Sequence, residues 1–433
     1  MRHVISQLVS WLVAGTALSL APPAVGTDLP DGPFEATECP QPVAEIARCY
    51  SAQDANGAWL LAAMPHDWNR RLIVHAHGGP RLGEPRNGDS AGDLERYASM
   101  LDAGYAWIGS TYRRGGYGVR SAAADVDESR RVFVDTWGRP ERVLLHGQSW
   151  GGNVAAKVAE LHALDHEGNR NFDAVLVTNG VLTGGTSAYG FRADLRAVYQ
   201  YVCRNHPAPD EQQYPLWHGL PEQSRMTRNE LRERVNACTG VDDAPARRSP
   251  EQQARLADIL AVTGVAESQL VAHLAWGTFH FRDLVHRHLG GGNPFDNTSK
   301  VYLGSRNDEA LNAGVQRFTA DPSAVARLAY DADLSGQIVL PLLAVHAAHD
   351  PVVSARALEA YAKTVGAAGR SGLFVGVMTD ESKHSRLRDE TYLAVLGALE
   401  AWLDSGSRPG KAAIQELCLE QATLADDCRF LTR

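Results

Sequence analysis

One short segment constrains this chain more than any other. Val143-Leu144-Leu145-His146-Gly147-Gln148-Ser149-Trp150-Gly151-Gly152 runs from an apolar strand through G-x-S-x-G into a helix. In that order a serine is carried on a sharp strand-to-helix turn, the arrangement called a nucleophile elbow. The flanking glycines have a steric reason: a Cβ there would collide with the neighbouring strand and helix. The chain must then supply a sheet to hold the strand and a helix to follow it.

The rest of the sequence supplies them. Apolar runs at Trp59–Met64, Arg71–His77, Ala106–Tyr112, Val143–His146 and Ala174–Thr178 have the length of buried strands. Helix-spaced apolar positions at Asp93–Ala103, Ser121–Trp137 and Gly151–Ala163 fall between them. This alternation predicts right-handed crossovers onto a mainly parallel sheet, an α/β fold. From residue 181 to 336 the pattern becomes mostly helical, with helices expected at Asp194–Cys203, Arg228–Ala237 and Pro250–Ala261. Strands return at Ile338–His346 and Leu373–Met378, with helices at Ala355–Thr364 and Thr391–Leu403. One core, residues 27–180 and 337–433, is thus expected to carry a helical insertion over residues 181–336, in the place of a cap.

Composition limits the partners. Apolar residues at 44% and charged residues at 21% are ordinary for a globular chain. A net charge of −9 opposes binding to a phosphate backbone, so nucleic acid is not an expected partner. Residues 1–26 run from Arg2 through an apolar stretch to small residues near Ala24 and Gly26, the layout of a secretory signal peptide. Polar residues dilute it and Pro22 and Pro23 end it, so export, to a secreted or periplasmic location, is expected without stable membrane insertion. Six cysteines, an even number in an exported chain, read as disulfides. Nearest-neighbour pairing gives Cys39 with Cys49, Cys203 with Cys238 and Cys418 with Cys428, each pair within one segment. Nothing in the sequence sets an oligomeric state.

A second glycine-containing loop precedes the elbow. The strand Leu72–Val74 leads into His75-Ala76-His77-Gly78-Gly79-Pro80, where small residues let the backbone approach a substrate carbonyl. Backbone N–H groups of Gly79 and Trp150 are the expected donors to an oxyanion. His77 and Gly78 are expected nearby as substrate contacts.

With HGGP and GQSWGG both present, the chain resembles the α/β-hydrolases and is similar both to secreted esterases and to prolyl-oligopeptidase-like peptidases. The likeness spans roughly residues 55–180 and 336–405. It implies a triad in the chain order serine, acid, histidine. Asp350, in His346-Ala347-Ala348-His349-Asp350-Pro351, follows a strand and resembles the family's acid loop, with Asp380 as the rival. His384, in Thr379-Asp380-Glu381-Ser382-Lys383-His384-Ser385, resembles the histidine loop, with His346 and His349 as rivals. Lys383 replaces the family's usual glycine. Gln148 and Ser385 stand where tannase-like and feruloyl-esterase-like enzymes carry cysteines, so a triad-spanning disulfide is not expected.

The expected activity is cleavage of a carboxylic ester, small or polymeric, through an acyl-enzyme, with no cofactor. Two alternatives stay open: a serine peptidase of the prolyl-oligopeptidase or prolyl-aminopeptidase type, and a non-catalytic relative that only binds. Within the insertion, the aromatic stretch 273–281 offers Trp276 and Phe279 as pocket-lining residues, although such stripes are more often core. Histidines 273, 280, 286 and 288 lack the helical H-x-x-x-H pairing of a zinc site, so no metal is expected. Asn297-Thr298-Ser299 reads as a glycosylation sequon.

Overall fold

The computed structural model describes residues 32–422 and 427–431; the expected signal segment lies outside them. Nine strands form one sheet: β1 (Glu35–Thr37), β2 (Ala47–Gln53), β3 (Trp59–Pro65), β4 (Arg71–Ala76), β5 (Ala106–Ser110), β6 (Arg142–Gln148), β7 (Ala174–Thr178), β8 (Leu342–Ala347) and β9 (Phe374–Thr379). Their order is β1-β2-β3-β5-β4-β6-β7-β8-β9. The pairs β1/β2, β2/β3 and β3/β5 are antiparallel and every other pair is parallel. This is the α/β-hydrolase fold.

The side-chain alternation of the strands explains the layers. Along β4 and β6, Leu72, Val74, Val143 and Leu145 face an apolar cluster with the helices Val119–Trp137 and Trp150–Leu161. Ile73 and Leu144 face the other side, where Tyr97, Leu101, Tyr392 and Leu399 cover the sheet. Both faces are therefore apolar, which is why these strands read as continuous hydrophobic runs. β1 and β2 carry no such signal, because they lie at the edge and expose Arg48 and Gln53. β8 starts at Leu342, later than the expected Ile338, because Pro341 has no N–H to give the ladder; its carbonyl still accepts from Val175 N. The expected helix over 93–103 is two short ones, Ala91–Arg96 and Ala98–Asp102, broken at Tyr97.

Between β7 and β8 the chain is helical and has an apolar cluster of its own, built on Leu195, Val198, Leu231, Ile259 and Leu274. Two of its helices start with reciprocal caps, Thr227 with Glu230 and Ser249 with Gln252. Both end at a glycine in the left-handed region, Gly240 and Gly264. Asn297 is fully buried, its amide bonding Tyr302 and the backbone of Gln316 and Phe318. The sequon is thus a structural amide in this fold and offers no acceptor surface for a glycan.

Disulfides join Cys39–Cys49, Cys203–Cys238 and Cys418–Cys428, a content that points to an extracellular or periplasmic protein. Among the described residues no single helix is long and apolar enough to cross a membrane. The Cys203–Cys238 bond ties the helices Gly190–Cys203 and Arg228–Thr239 over a separation of 35 residues. Changing both cysteines to Ala should lower stability by about 3 to 4 kcal/mol on chain-entropy grounds. Hydrogen exchange should rise over residues 195–315 and stay low in β4 to β8; a uniform rise would mean that the segment and the sheet unfold as one.

Candidate active site

Every expected site residue of the sheet lies at one edge, because the parallel strands β4, β6, β8 and β9 all end there. Ser149 follows β6 with φ 57° and ψ −122°, a strained conformation for a residue with a side chain. Its neighbours show what holds it. A Cβ on Gly151 would sit 2.0 Å from the Ala76 carbonyl oxygen, and one on Gly147 would sit 2.3 Å from that of Gly151. No side chain fits at either position, as the steric reading of the motif requires.

Ser149, His384 and Asp350 form one hydrogen-bonded chain. The Ser149 Oγ is 2.7 Å from His384 Nε2, and His384 Nδ1 is 2.7 Å from Asp350 Oδ2. The Asp350 carboxylate is fully buried, and its other oxygen accepts from the N–H groups of Val352 and Val353 at 2.8 and 3.0 Å. Asp350 therefore faces His384 with one oxygen only, which sets the imidazole's orientation. None of the rivals joins this chain, although His346 Nε2 lies 3.7 Å from Asp350 Oδ2. Asp380 and His349 pair with each other at 2.9 Å on the exposed surface. His346 is buried, donates to the Val353 carbonyl at 3.0 Å, and is kept below its usual pKa by burial.

The histidine loop is held from two sides by residues the sequence reading did not single out as site residues. Asn179 donates to the carbonyls of His384 and Lys383 at 2.7 and 3.1 Å, while its Oδ1 accepts from Ala347 N at 2.7 Å. Gln148 donates to the same His384 carbonyl at 3.1 Å. Asn179 adopts φ 46°, a left-handed conformation that asparagine tolerates well, and an Asn at the end of a strand was the available signal. Lys383 is not among the residues with positive φ, so a side chain is accommodated where the family has glycine.

The loop after β4 sits beside Ser149. Gly78 packs on Gln148, whose Oε1 would be 2.3 Å from an added Cβ, and Gly79 takes φ 71° with open space around it. Trp150 opens its helix, so its N–H has no carbonyl one turn earlier to bond. Its indole is buried and packs edge-on against Tyr112 and Tyr117, at interplanar angles of 65° and 60°. His77 stacks on Tyr112 at 4.0 Å and is buried, its pKa pulled down to about 4 by that burial.

Of the two aromatic residues expected from the insertion, Phe279 is buried in the insertion's own cluster, beneath Arg228. Trp276 is only partly buried and stacks between Tyr189 and His280 at 4.4 and 4.8 Å. The backbone here makes π-helical turns, Trp276–His280 and Leu284–His288, a geometry often found at functional sites.

No family model matches this chain, and no curated protein does. Among solved structures it is similar to a feruloyl esterase B from Aspergillus oryzae, 15% identical, with a TM-score of 0.41 over 84% of this chain and 82% of that one. It is also similar to Candida antarctica lipase A, 12% identical, with a TM-score of 0.44 over 91% and 86% of the two chains. At such identities the chemistry has to be read from the side chains of this chain.

Buried histidines give the fold a pH dependence. Burial pulls His77 to about 4 and His273 and His280 to about 3, from 6.5. These folded pKa values are depressed, so stability is complete above pH 6.5 and is lost as the pH falls, when unfolding takes up protons. Each such histidine should contribute a slope of about 1.4 kcal/mol per pH unit between roughly pH 6 and 4. Urea midpoints measured across that range should fall steeply, and changing both His273 and His280 to Gln should flatten the curve.

Proposed function

We propose that this protein is an exported, metal-independent serine hydrolase that cleaves a carboxylic ester through an acyl-enzyme. The observation that carries the reading is the unbroken chain from Ser149 Oγ through His384 to the buried Asp350 carboxylate, beginning on a strained turn at the end of a central strand. A serine hydroxyl is a poor nucleophile at neutral pH, so it needs such a partner.

In this mechanism Ser149 Oγ attacks the ester carbonyl carbon as His384 Nε2 takes the hydroxyl proton. Asp350 keeps the proton of Nδ1 directed towards itself and stabilises the imidazolium that forms. The carbonyl oxygen, now negative, accepts from the N–H groups of Gly79 and Trp150. Collapse expels the alcohol, which receives the proton from His384. A water molecule then gives a proton to His384 and attacks the acyl carbon, releasing the carboxylic acid and restoring the Ser149 hydroxyl.

The helical segment 181–336 is the cap in this reading. Two observations support it: His273 lines one cavity with Asp350 and Pro351, and Asp283 accepts from the Tyr117 N–H at 2.7 Å. The segment thus faces the acid loop, where it would exclude water and select substrates.

Ser149→Ala should stay folded, take no fluorophosphonate label and lose turnover by a factor on the order of 10⁶. Asp350→Asn should lose roughly 10⁴ in kcat, because an amide can hold the imidazole in the wrong tautomer. If Asp380→Asn is the more damaging change, the acid is misplaced. A folded wild type that resists the label would favour the binding-only alternative, whereas faster turnover of proline anilides than of acyl esters would favour the peptidase. Asn179→Ala should lower kcat by roughly 10 to 100-fold with KM little changed, since it supports the histidine loop and touches no substrate.

A further inference from the structure

The cap segment holds a buried cation with no counter-charge. Arg192 is only 6% exposed, and among the described residues no carboxylate lies within ion-pair distance of its guanidinium. Its Nε is buried without any hydrogen-bond partner. Three aromatic rings surround the charge instead: Phe191, Trp276 and Tyr189, at 4.5, 4.7 and 5.6 Å from the guanidinium carbon. Ring faces favour a cation, but they leave its N–H donors unfilled. Asp125 is paired with Arg113 and Asp93 with Arg81 and Arg96, and the fully buried Arg196, which also lacks a carboxylate, donates to the carbonyls of His206 and Gly219, whereas among the described residues no acceptor is within reach of Arg192. A buried charge left unpaired is unfavourable, so a partner from outside the chain is the physical expectation.

Position says what that partner is. Arg192 lines a cavity of about 870 Å³ together with Val181, His273, Asp350 and Pro351. Val181 bonds through its N–H to the carbonyl of Ser149, which sets the cavity next to the nucleophile. Asp350 cannot serve as the counter-charge, since its oxygens are taken by His384, Val352 and Val353. The other polar side chains facing Arg192 are Tyr189, His273 and His280, and none of them is an anion at neutral pH. Burial lowers the Arg192 pKa to about 10, which leaves it charged there. Besides the exposed Arg356 at its rim, the cavity therefore presents a buried positive, planar donor group, Arg192, held by stacked rings near the Ser149 turn.

We propose that Arg192 is an anion subsite that takes a carboxylate borne by the substrate, so that the enzyme selects esters carrying a free acid group. Guanidinium and carboxylate match as a two-toothed pair, and the aromatic walls suit the carbon skeleton between acid and ester. The proposal rests on the hydrolase reading for its account of selectivity, while anion binding itself does not.

Two measurements separate the two claims. In the first, kcat/KM is compared for the nitrophenyl monoester of glutaric acid against nitrophenyl butyrate, and for 4-carboxyphenyl butyrate against phenyl butyrate, which places the acid on the acyl or the alcohol side. The wild type should prefer the acid-bearing ester by roughly tenfold or more in one series, and Arg192→Gln should lower that ratio by a similar factor while Arg192→Lys retains part of it. In the second, calorimetry compares binding of glutarate and of neutral glutaramide to the wild type, a measurement that needs neither turnover nor a folded variant. Glutarate alone should bind. Binding of glutarate without cleavage of any ester would leave the subsite standing and sink the hydrolase. Ester cleavage with no acid preference in either series, and equal binding of glutarate and glutaramide, would overturn the subsite.

Discussion

The close approach of the Trp150–Leu161 helix to the end of β4 is the constraint on which the rest of the site depends. At Gly151 the gap to the Ala76 and His77 carbonyls leaves no room for a methyl group. That approach lets the chain reverse at Ser149 within one residue, and it brings the loop of Gly78 and Gly79 alongside the turn. The strain at Ser149 is held by packing on both sides: Ser149 N bonds the Thr178 carbonyl, and the Ser149 carbonyl accepts from Gly152 and Val181. A strained residue fixed by its surroundings is pre-organised, which is how a weak nucleophile gains from geometry alone.

Electrostatic order follows from the same edge of the sheet. Four strand ends meet there, and each contributes a loop. In Asp350, two backbone donors hold one oxygen, which leaves the other to face His384. Asn179 does the same for the histidine loop from the neighbouring strand, binding β8 through Ala347 and the loop through His384. In the proposed chemistry, charge moves through groups that do not have to reorganise.

The helical segment between β7 and β8 adds a different kind of order. Its apolar cluster and its disulfide give it packing of its own, yet His273 lines a cavity with Asp350 and Asp283 bonds the Tyr117 N–H. His273 and His280 lie on one helical stretch that passes from α-helical into π-helical turns. Trp276 lies between them and carries the stack that positions Arg192. Selectivity in the proposed enzyme thus comes from the segment, and bond breaking from the sheet.

What could be read from the sequence was whatever is local. The apolar runs of β4 to β9 are legible because both faces of the sheet are covered, and Gly147, Ser149 and Gly151 are legible because one turn dictates all three. The nearest-neighbour disulfides are legible because each pair closes within a single segment. Asp350 and His384 needed the resemblance to known hydrolases to be chosen over Asp380, His346 and His349, since spacing alone does not say which loop reaches Ser149. Tertiary structure alone decided the remainder. β2 lies next to the edge strand β1 and its half-exposed residues carry no strong period, Asn179 acts on residues more than 200 positions away, and Asn297 resembles a sequon until its amide is seen buried. The unpaired state of Arg192 is the extreme case. An arginine in a helix is ordinary in any sequence, and only the folded chain, by removing water and supplying rings where a carboxylate would be expected, turns it into a site.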